Sequence, residues 1–272
     1  MRPRITFARF LLRLSGFLRT LPVVVMRPAD MVEFSRQAYE RGSYTYGDLN
    51  DPDAGLTGDE MVLWEKVPCR TGRVLVLGGG GGREAITFAR QGFEVTGVDF
   101  SEGMLARARE SMAQRGLDFQ GWTGDISQLE APVESFDVVW ISMFLYSVVL
   151  GRQRRVEMLR RIRKALKPGG VLVCSFYWDP GARASRKGEL LRKAVAWLTL
   201  GNTAYENGDI LLGTIEFRHA FWAEEDLRAE FAAGGFEVLY LTIFDRMRRG
   251  GAVLRKPDSS SLDRDLGAFQ MG

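Results

Sequence analysis

The chain has 272 residues, a length that suits one large domain or one domain with a cap. Apolar residues make up 46% of it, enough for a full hydrophobic core, and a net charge of +3 does not by itself indicate a nucleic-acid partner. Cys69 and Cys174 form neither a metal-ligand pattern nor a disulfide framework, which favours a reducing compartment, no metal and a buried thiol at Cys174. The basic residues are mostly arginine, which indicates a bacterial coding sequence.

The first 29 residues form a basic, amphipathic segment. Six arginines precede the first acid, Asp30. Apolar side chains recur on one helical face, opposite Arg9, Arg13 and Gly16: Phe7, Phe10, Leu11, Leu14, Leu18 and Leu21. Pro22 is predicted to end or break this helix. Arginines interrupt the apolar run, so we predict neither a membrane span nor a secretory signal.

Three interpretations of residues 1–29 stay open. The favoured one is a cap helix that packs over a ligand cleft or against a partner subunit. The second is a basic amphipathic helix that lies on an anionic membrane surface. The third is an organelle-targeting peptide.

Residues 30–68 combine tyrosines with a polar turn region. Tyr44 and Tyr46 are candidates to line a site, and the residues that follow, 47–55, are rich in turn formers. Thr57 is predicted to cap a helix that runs to Trp64, with Glu60 three residues later as the partner in a capping box.

The stretch around residues 74–90 predicts a ligand site. Four apolar residues, Val74 to Leu77, indicate a strand buried on both faces, and five glycines, 78–82, separate it from a helix that begins at Arg83. A second strand, Phe93 to Asp99, ends in an acid about twenty residues after the glycines, where a carboxylate can accept hydrogen bonds from ribose hydroxyls. This arrangement alone suits a nicotinamide cofactor or S-adenosylmethionine.

The glycine spacing separates these two possibilities. The dinucleotide pattern requires a third small residue, and its position is occupied by Arg83. The spacing Gly78-x-Gly80-x-Gly82 instead suits a turn that surrounds an amino-acid tail without a pyrophosphate.

From these residues onward the chain resembles the class I S-adenosylmethionine-dependent methyltransferases over about residues 60–255. The segments that are similar to the family's motifs occur in the expected order: Val74–Arg83, Val98–Met104, Gly124–Ile126, Phe136–Trp140 and Ala165–Val173. The chain departs from the family pattern at Val76, two residues before Gly78, where an acid is usual.

The resemblance implies an α/β fold with a Rossmann-like, seven-stranded, mostly parallel sheet, helices on both faces and a final antiparallel strand pair. We predict an N-terminal helix and cap over 1–68, the methyltransferase domain over 69–255 with a substrate-lid insertion at 178–222, and a polar, frayed tail over 256–272. The closing strands are predicted at residues 235–242 and 252–254.

The same resemblance implies S-adenosyl-L-methionine as the cofactor and a set of residues that hold it. Glycines would surround the methionine end, Asp99 the ribose, and Asp125 the adenine amino group. Phe100 and Met104, on the helix that Ser101 caps, would pack on the adenine ring or simply between helix and sheet. The predicted cofactor-binding set is Gly78, Gly79, Gly80, Gly82, Asp99, Phe100, Met104, Asp125, Ile126 and Ser142.

Candidate catalytic residues follow later in the chain. Tyr146 comes just after the fourth strand, at the edge of an open α/β sheet where reaction centres lie, and a packing role is equally compatible. His219 is the only histidine and is a candidate general base, with an ordinary structural role as the alternative. The segment after the fourth strand has no Pro-Pro-aromatic run, which argues against adenine-N6 DNA methylation.

The predicted helix Gly151–Leu166 carries six arginines on its polar face, but no aromatic stacking motif accompanies them, so we do not predict a nucleic-acid partner. Within residues 178–222, a helix is expected over 188–200 and an added strand over 210–217, forming an apolar lid over a small molecule.

Together these features predict methyl transfer from S-adenosylmethionine to an oxygen, nitrogen or carbon of a small molecule, in the cytoplasm. One alternative is a cofactor-binding or degenerate relative that acts as a non-catalytic partner, an interpretation motivated by Val76. The other is a methyltransferase that acts on a lipid while bound at the inner membrane surface, motivated by residues 1–29.

Overall fold

The computed structural model describes residues 20–40, 51–182, 185–212, 216–244 and 248–258, with Ile5, Phe7 and Leu18 as single positions. Most of the predicted N-terminal amphipathic helix lies outside the described residues. So do Tyr44, Tyr46 and the tail beyond residue 258. In the part of the chain that is described, no helix has both the length and the apolar content needed to cross a membrane.

Strands and helices alternate through most of the chain. The strands are β1 Gly72–Leu77, β2 Phe93–Asp99, β3 Gln120–Thr123, β4 Phe136–Ile141, β5 Leu166–Trp178, β6 Asp209–Leu212, β7 Glu216–Phe221, β8 Glu237–Phe244 and β9 Arg249–Arg255. The helices are α1 Pro28–Glu40, α2 Gly58–Trp64, α3 Arg83–Arg90, α4 Glu102–Ala113, α5 Leu145–Val148, α6 Arg152–Ala165, α7 Arg186–Leu198 and α8 Glu224–Ala233.

The strands form one sheet with a parallel centre. β3, β2, β1, β4 and β5 lie side by side in that order and pair in parallel. Beyond β5 the order is β9 then β8, both pairings antiparallel, which gives the predicted seven strands and final antiparallel pair. The hairpin of β6 and β7 adds two more strands, because the end of β5 at Tyr177 and Trp178 pairs with β7.

The alternation of side chains along the central strands divides the core into two layers. Leu75, Leu77 and Ile141 face one layer, which α6 and α8 cover. Val74, Val76 and Trp140 face the other, which α2 and α3 cover. Trp64 of α2 packs on Phe88 at 4.6 Å between ring centroids, inside this second layer.

Local signals for helix starts are confirmed. Thr57 accepts a hydrogen bond from the Glu60 backbone N–H, and Glu60 Oε2 accepts one from the Thr57 backbone N–H at 2.7 Å, which completes the capping box. Ser101 accepts from the Met104 backbone N–H at the start of α4.

Three local expectations differ from the structure. Residues 20–25 are helical through Pro22, and the chain leaves the helix only at Met26 and Arg27, before Pro28 opens α1. Leu166, expected to end a helix, instead begins β5, which contains a bulge after this residue, since Phe136 pairs with Leu166 while Val138 pairs with Val171. Lys256, expected to be frayed, is buried, and its Nζ donates to the Leu166 carbonyl at 2.7 Å.

The arginines of α6 make contacts within the chain. Arg155 is buried and donates to both Glu230 carboxylate oxygens, at 2.9 and 2.6 Å, and to Glu206 at 2.8 Å. Burial opposes its charge, but Glu230 raises the pKa of Arg155 above the usual range. Arg160 and Arg163 donate to the carbonyls of residues 233 and 235. The basic face of α6 therefore serves largely to fasten α8 and the loop that follows it.

We predict that Glu230→Ala lowers the free energy of unfolding by about 3–5 kcal/mol, because it leaves Arg155 and the Tyr146 hydroxyl short of a buried partner. Urea denaturation followed by circular dichroism measures this change. The matched control is Glu224→Ala, on the same helix, which removes an exposed pair with Arg228 and should cost no more than about 0.5 kcal/mol. Equal effects of the two variants would contradict a structural role for this network.

Candidate ligand-binding cleft

A cleft of about 340 Å³ opens at the carboxyl ends of β1, β2 and β4. Its floor is the turn between β1 and α3. Gly78 and Gly80 have φ values of +76° and +51°, in the left-handed region that glycine tolerates. A Cβ at Gly78 would collide with the Leu145 side chain, so the backbone itself forms this wall.

Asp99 holds the turn from the end of β2. One carboxylate oxygen accepts from the Gly80 backbone N–H at 3.2 Å, and the other accepts from Ser101 N–H at 2.9 Å. Burial raises the pKa of Asp99, and these N–H donors oppose the rise. Phe100 and Met104 line the cleft beside it.

Residues 124–127 line the cleft at the end of β3. Asp125 Oδ1 accepts from the Ser127 backbone N–H at 2.8 Å and starts the short 3-10 turn Ile126–Gln128. Asp125 and Ile126 both line the cleft. Asp125 is partly exposed in the cleft, where its carboxylate can accept from a ligand.

The segment after β4 forms the wall opposite Asp99. Ser142 is buried and lines the cleft, and its hydroxyl lies near the Glu84 carboxylate, where it acts to lower the pKa of that group. Met143 and Phe144 have φ values of +23° and +55°, which are unfavourable for residues with side chains. The guanidinium groups of Arg218 and Arg249 lie 5.6 and 5.0 Å from the centroid of the Phe144 ring, and these contacts stabilise the strained turn.

The other half of the cleft is mainly apolar and comes from elements that are distant in sequence. Its apolar lining residues are Met31 and Val32 of α1, Leu145 and Val148 of α5, Val149, Leu150 and Phe217. Ser35, Arg36 and Arg154 also line the cleft. Glu216 also lines it as a buried carboxylate, and Arg218 Nε donates to it at 2.6 Å. One cleft thus joins a polar, backbone-rich half to an apolar half.

Directly behind the glycine turn lies a buried ionic group. Arg83 donates to Glu60 at 2.7 and 2.8 Å and to Glu84 at 2.8 Å. Glu84 also lines the cleft, and burial raises its pKa from 4.5 to about 7, against the opposing charge of Arg83. One buried cation faces two carboxylates, so the second carboxylate ionises with difficulty. This group ties α2 to the start of α3.

Nine of the ten residues predicted to bind a cofactor line this cleft, and Gly82 does not. Gly82 has a φ of +97° and starts α3, and a Cβ there would lie 3.3 Å from the Cα of Ala108 in α4. Its position is explained by the close approach of two helices.

The two predicted catalytic residues lie away from the cleft. Tyr146 is fully buried, and its hydroxyl donates to Glu230 at 2.8 Å, so it does not face a substrate in this cleft. His219 lines a separate polar cavity, and its Nδ1 lies 2.8 Å from Asp209.

The surroundings of His219 include the one candidate metal group found among the described residues. Ligand atoms of Glu206, Asp209 and His219 all lie within 4.8 Å of one another. Arg155 pairs with Glu206 at 2.8 Å, and the His219–Asp209 separation is that of a hydrogen bond. This network is therefore complete as an arrangement of hydrogen bonds and ion pairs.

Sequence reasoning missed Glu84, Glu216 and the residues of α1 as parts of the cleft. An acid in the first turn after the glycines was a usable signal for Glu84. No local pattern identifies Glu216 or Val32, because only the packing of β7 and α1 against the sheet edge brings them to the site.

Comparison with known proteins agrees with this geometry. Residues 74–170 match a family model described as a methyltransferase domain. A phosphatidylethanolamine N-methyltransferase of Cereibacter sphaeroides is 41% identical over 131 residues, covering 46% of this chain and 62% of that protein. A demethylmenaquinone methyltransferase of Renibacterium salmoninarum is 30% identical over 183 residues, covering 66% of this chain and 71% of the relative.

The fold is shared with solved structures as well. A S-adenosylmethionine-dependent methyltransferase from Methanosarcina mazei superimposes with a TM-score of 0.58 at 18% identity, over 75% of this chain and all of that one. The fold defines an α/β protein with a cleft at the carboxyl end of a parallel sheet. With the sequence matches, the fold shows that the chain belongs to the class I S-adenosylmethionine-dependent methyltransferases. The chain spans 62%, 49% and 46% of three curated relatives that it matches.

We predict that Glu84 makes the stability of the protein depend on pH. Its folded pKa of about 7 exceeds 4.5, so the folded state binds more protons between these values, and stability falls as pH rises through about 7. Glu84→Gln stays uncharged and should lose this component. Urea unfolding at about pH 5 and about pH 8 measures it. Glu110→Gln, at an exposed site on α4, should keep the wild-type dependence, and an unchanged dependence in Glu84→Gln would rule out Glu84 as its source.

Proposed function

We propose that the protein transfers the methyl group of S-adenosylmethionine to an oxygen, nitrogen or carbon of a small, largely apolar molecule. The observation that supports this most is the single cleft in which a glycine-backbone half joins an apolar half. The activity is proposed for the chain by analogy with its family, since several relatives extend well beyond the matched region.

The residues present fit the cofactor. Gly78 and Gly80 have positive φ values and form a backbone cradle, and the Asp99 carboxylate lies beside it. Ser142 supplies a buried hydroxyl in the cleft lining, and Asp125 supplies a carboxylate there. When bound, the cofactor supplies a methyl group activated by its sulfonium charge.

The chain's own residues bind, orient and exclude water. Asp99 would accept from the ribose hydroxyls while its contacts to Gly80 and Ser101 keep it aligned. Asp125 and Ile126 would hold the adenine side, and the glycine turn the amino-acid end. The apolar half would hold the acceptor with its nucleophilic atom towards the polar half and exclude water from the reacting atoms.

An acceptor that must lose a proton needs a base, and Glu216 is the better placed candidate. It is a buried carboxylate in the cleft lining, whereas His219 and Tyr146 lie outside that lining. Arg218 holds its carboxylate in place. An acceptor whose nucleophile is already deprotonated requires no such group.

The nature of the acceptor is proposed from the lining. Met31, Leu150 and Phe217 are apolar and buried, which suits a hydrocarbon or aromatic body better than a polar one. Relatives described as demethylmenaquinone and phosphatidylethanolamine methyltransferases support an acceptor with a long apolar part. We also retain the expectation of a bacterial, cytoplasmic enzyme, and the relatives' bacterial sources support the first part of it.

A non-catalytic role is the second candidate, and it depends on Val76. This residue is fully buried under the glycine turn, where a Cβ at Gly79 would lie 3.2 Å from its side chain. An apolar contact therefore replaces a family carboxylate. Binding of the cofactor without turnover in a broad screen with labelled methyl groups would favour this candidate.

We predict that Asp99→Ala weakens binding of S-adenosylmethionine and S-adenosylhomocysteine by about 10- to 100-fold, because it removes a charged hydrogen-bond acceptor from the cleft. Isothermal titration calorimetry measures this directly. Asp118→Ala, an exposed position between α4 and β3, is the matched control and should bind as the wild type does. If the wild-type protein binds neither compound, the proposed function is wrong.

We further predict that Val32→Asp raises the KM for the acceptor by about tenfold while cofactor affinity stays constant, because it places a charge in the apolar half alone. Val32 is partly exposed, so folding should be preserved. Steady-state kinetics with an acceptor found by screening tests this. Val133→Asp, an exposed valine outside the cleft, should leave the KM unchanged; a similar rise in both variants would contradict the assignment of the apolar half.

A further inference from the structure

Helix α7 turns its larger apolar side chains towards solvent. On the helix surface one arc contains Leu190, Leu191, Ala194, Trp197 and Leu198. Leu190 and Leu191 are 61% and 54% exposed, and Trp197 and Leu198 are 72% and 73% exposed. The opposite side, with Ala196, packs in a cluster that contains Val23, Val24 and Met31. This is the reverse of a helix that covers a core with its apolar face.

Leu200 extends the stripe past the end of the helix. It is 68% exposed and has a φ of +51°, a conformation that glycine or asparagine usually supplies at a helix end. Next to it, Gly201 lies so close to the carbonyl oxygens of Val24 and Val25 that no side chain would fit there. The backbone thus holds a leucine in an unfavourable conformation with its side chain in water.

The surroundings of this stripe are basic. Arg186, Lys187 and Lys193 are exposed on α7, and its single acid, Glu189, pairs with Lys193 at 2.7 Å. Arg192 binds the segment at residues 20–25 through Thr20, at 3.1 Å. That segment follows a stretch of sequence that contains arginines and no acid before Asp30.

We propose that the surface formed by Leu190, Leu191, Ala194, Trp197, Leu198 and Leu200, here called the α7 face, docks on an anionic lipid surface. An apolar stripe bordered by lysine and arginine is complementary to anionic headgroups with acyl chains beneath them. An exposed tryptophan favours the boundary between lipid and water. All residues of this surface lie between positions 190 and 200, so a lipid contact through it is testable on its own.

The α7 face is also connected to the cleft. Ala196, on the buried side of helix α7, belongs to the same hydrophobic cluster as Met31, Leu150 and Phe217, which line the apolar half of the cleft. Docking would therefore place the acceptor half of the cleft close to the lipid. Only this consequence rests on the proposed function; the docking itself does not require methyl transfer.

The test is flotation of the full-length protein with vesicles of phosphatidylglycerol and phosphatidylcholine, compared with phosphatidylcholine alone. We expect the wild type to float with the anionic vesicles, more weakly at high salt. The double variant Trp197→Ser/Leu198→Ser should bind at least about tenfold more weakly, since two exposed apolar side chains lose their contact with lipid. The double variant Val133→Ser/Leu239→Ser, at exposed apolar positions elsewhere, is the control and should float like the wild type.

A second measurement follows the tryptophan itself. Anionic vesicles should shift the emission of the wild type to shorter wavelength, and Trp197→Phe should remove that shift. Equal flotation of the wild type and the α7 double variant would overturn the proposal. So would a wild type that ignores vesicles and instead forms a dimer that the α7 variant dissociates, since a second copy of the chain would then cover this face. Calorimetric cofactor binding, unchanged in all variants, keeps the outcome independent of the proposed function.

Discussion

The turn between β1 and α3 is the constraint on which the rest of the site depends. The Gly78 backbone N–H donates to the Val98 carbonyl at 2.7 Å, and Asp99 receives the Gly80 N–H. These contacts join the ends of β1 and β2, and the backbone of the glycine turn between β1 and α3 faces the cleft. Left-handed backbone at Gly78 and Gly80 is required for this path, and a Cβ at Gly78 would collide with the Leu145 side chain.

Two buried arginines fix the helices on the two faces of the sheet by ion pairs. Arg83 holds Glu60 and Glu84 together and so fastens α2 behind the glycines. Arg155 holds Glu206 and Glu230 together and fastens α6 to α8 on the other face of the sheet. Removing either arginine would leave two carboxylates without their counter-charge in a site with little water, and this cost makes each group a strong determinant of local structure.

This packing also explains the positions of Tyr146 and His219. Both are polar residues near the carboxyl edge of the sheet, where sequence reasoning expects chemistry. In the structure the Tyr146 hydroxyl serves Glu230, and His219 serves Asp209. Buried polar groups require hydrogen-bond partners, and both of these side chains have one inside the protein. The carboxylates that line the cleft are instead those of Glu84 and Glu216. The start of α3 after the glycines positions Glu84, and strand β7 positions Glu216.

The sequence by itself determined the alternating strands and helices, their order and most of the polar half of the cleft. Each of these depends on interactions within a few residues: apolar runs for strands, Thr57 and Ser101 for helix starts, glycines for the turn. Only the tertiary structure decided which elements form the apolar half, that β6 and β7 pair antiparallel, and that the larger apolar side chains of α7 face outward. The physical reason is that an amphipathic pattern shows a helix has two faces, while the available neighbours decide which face is covered. For α7 the segment at residues 20–25 packed on the small side chain of Ala196 and left Trp197 and Leu198 in solvent.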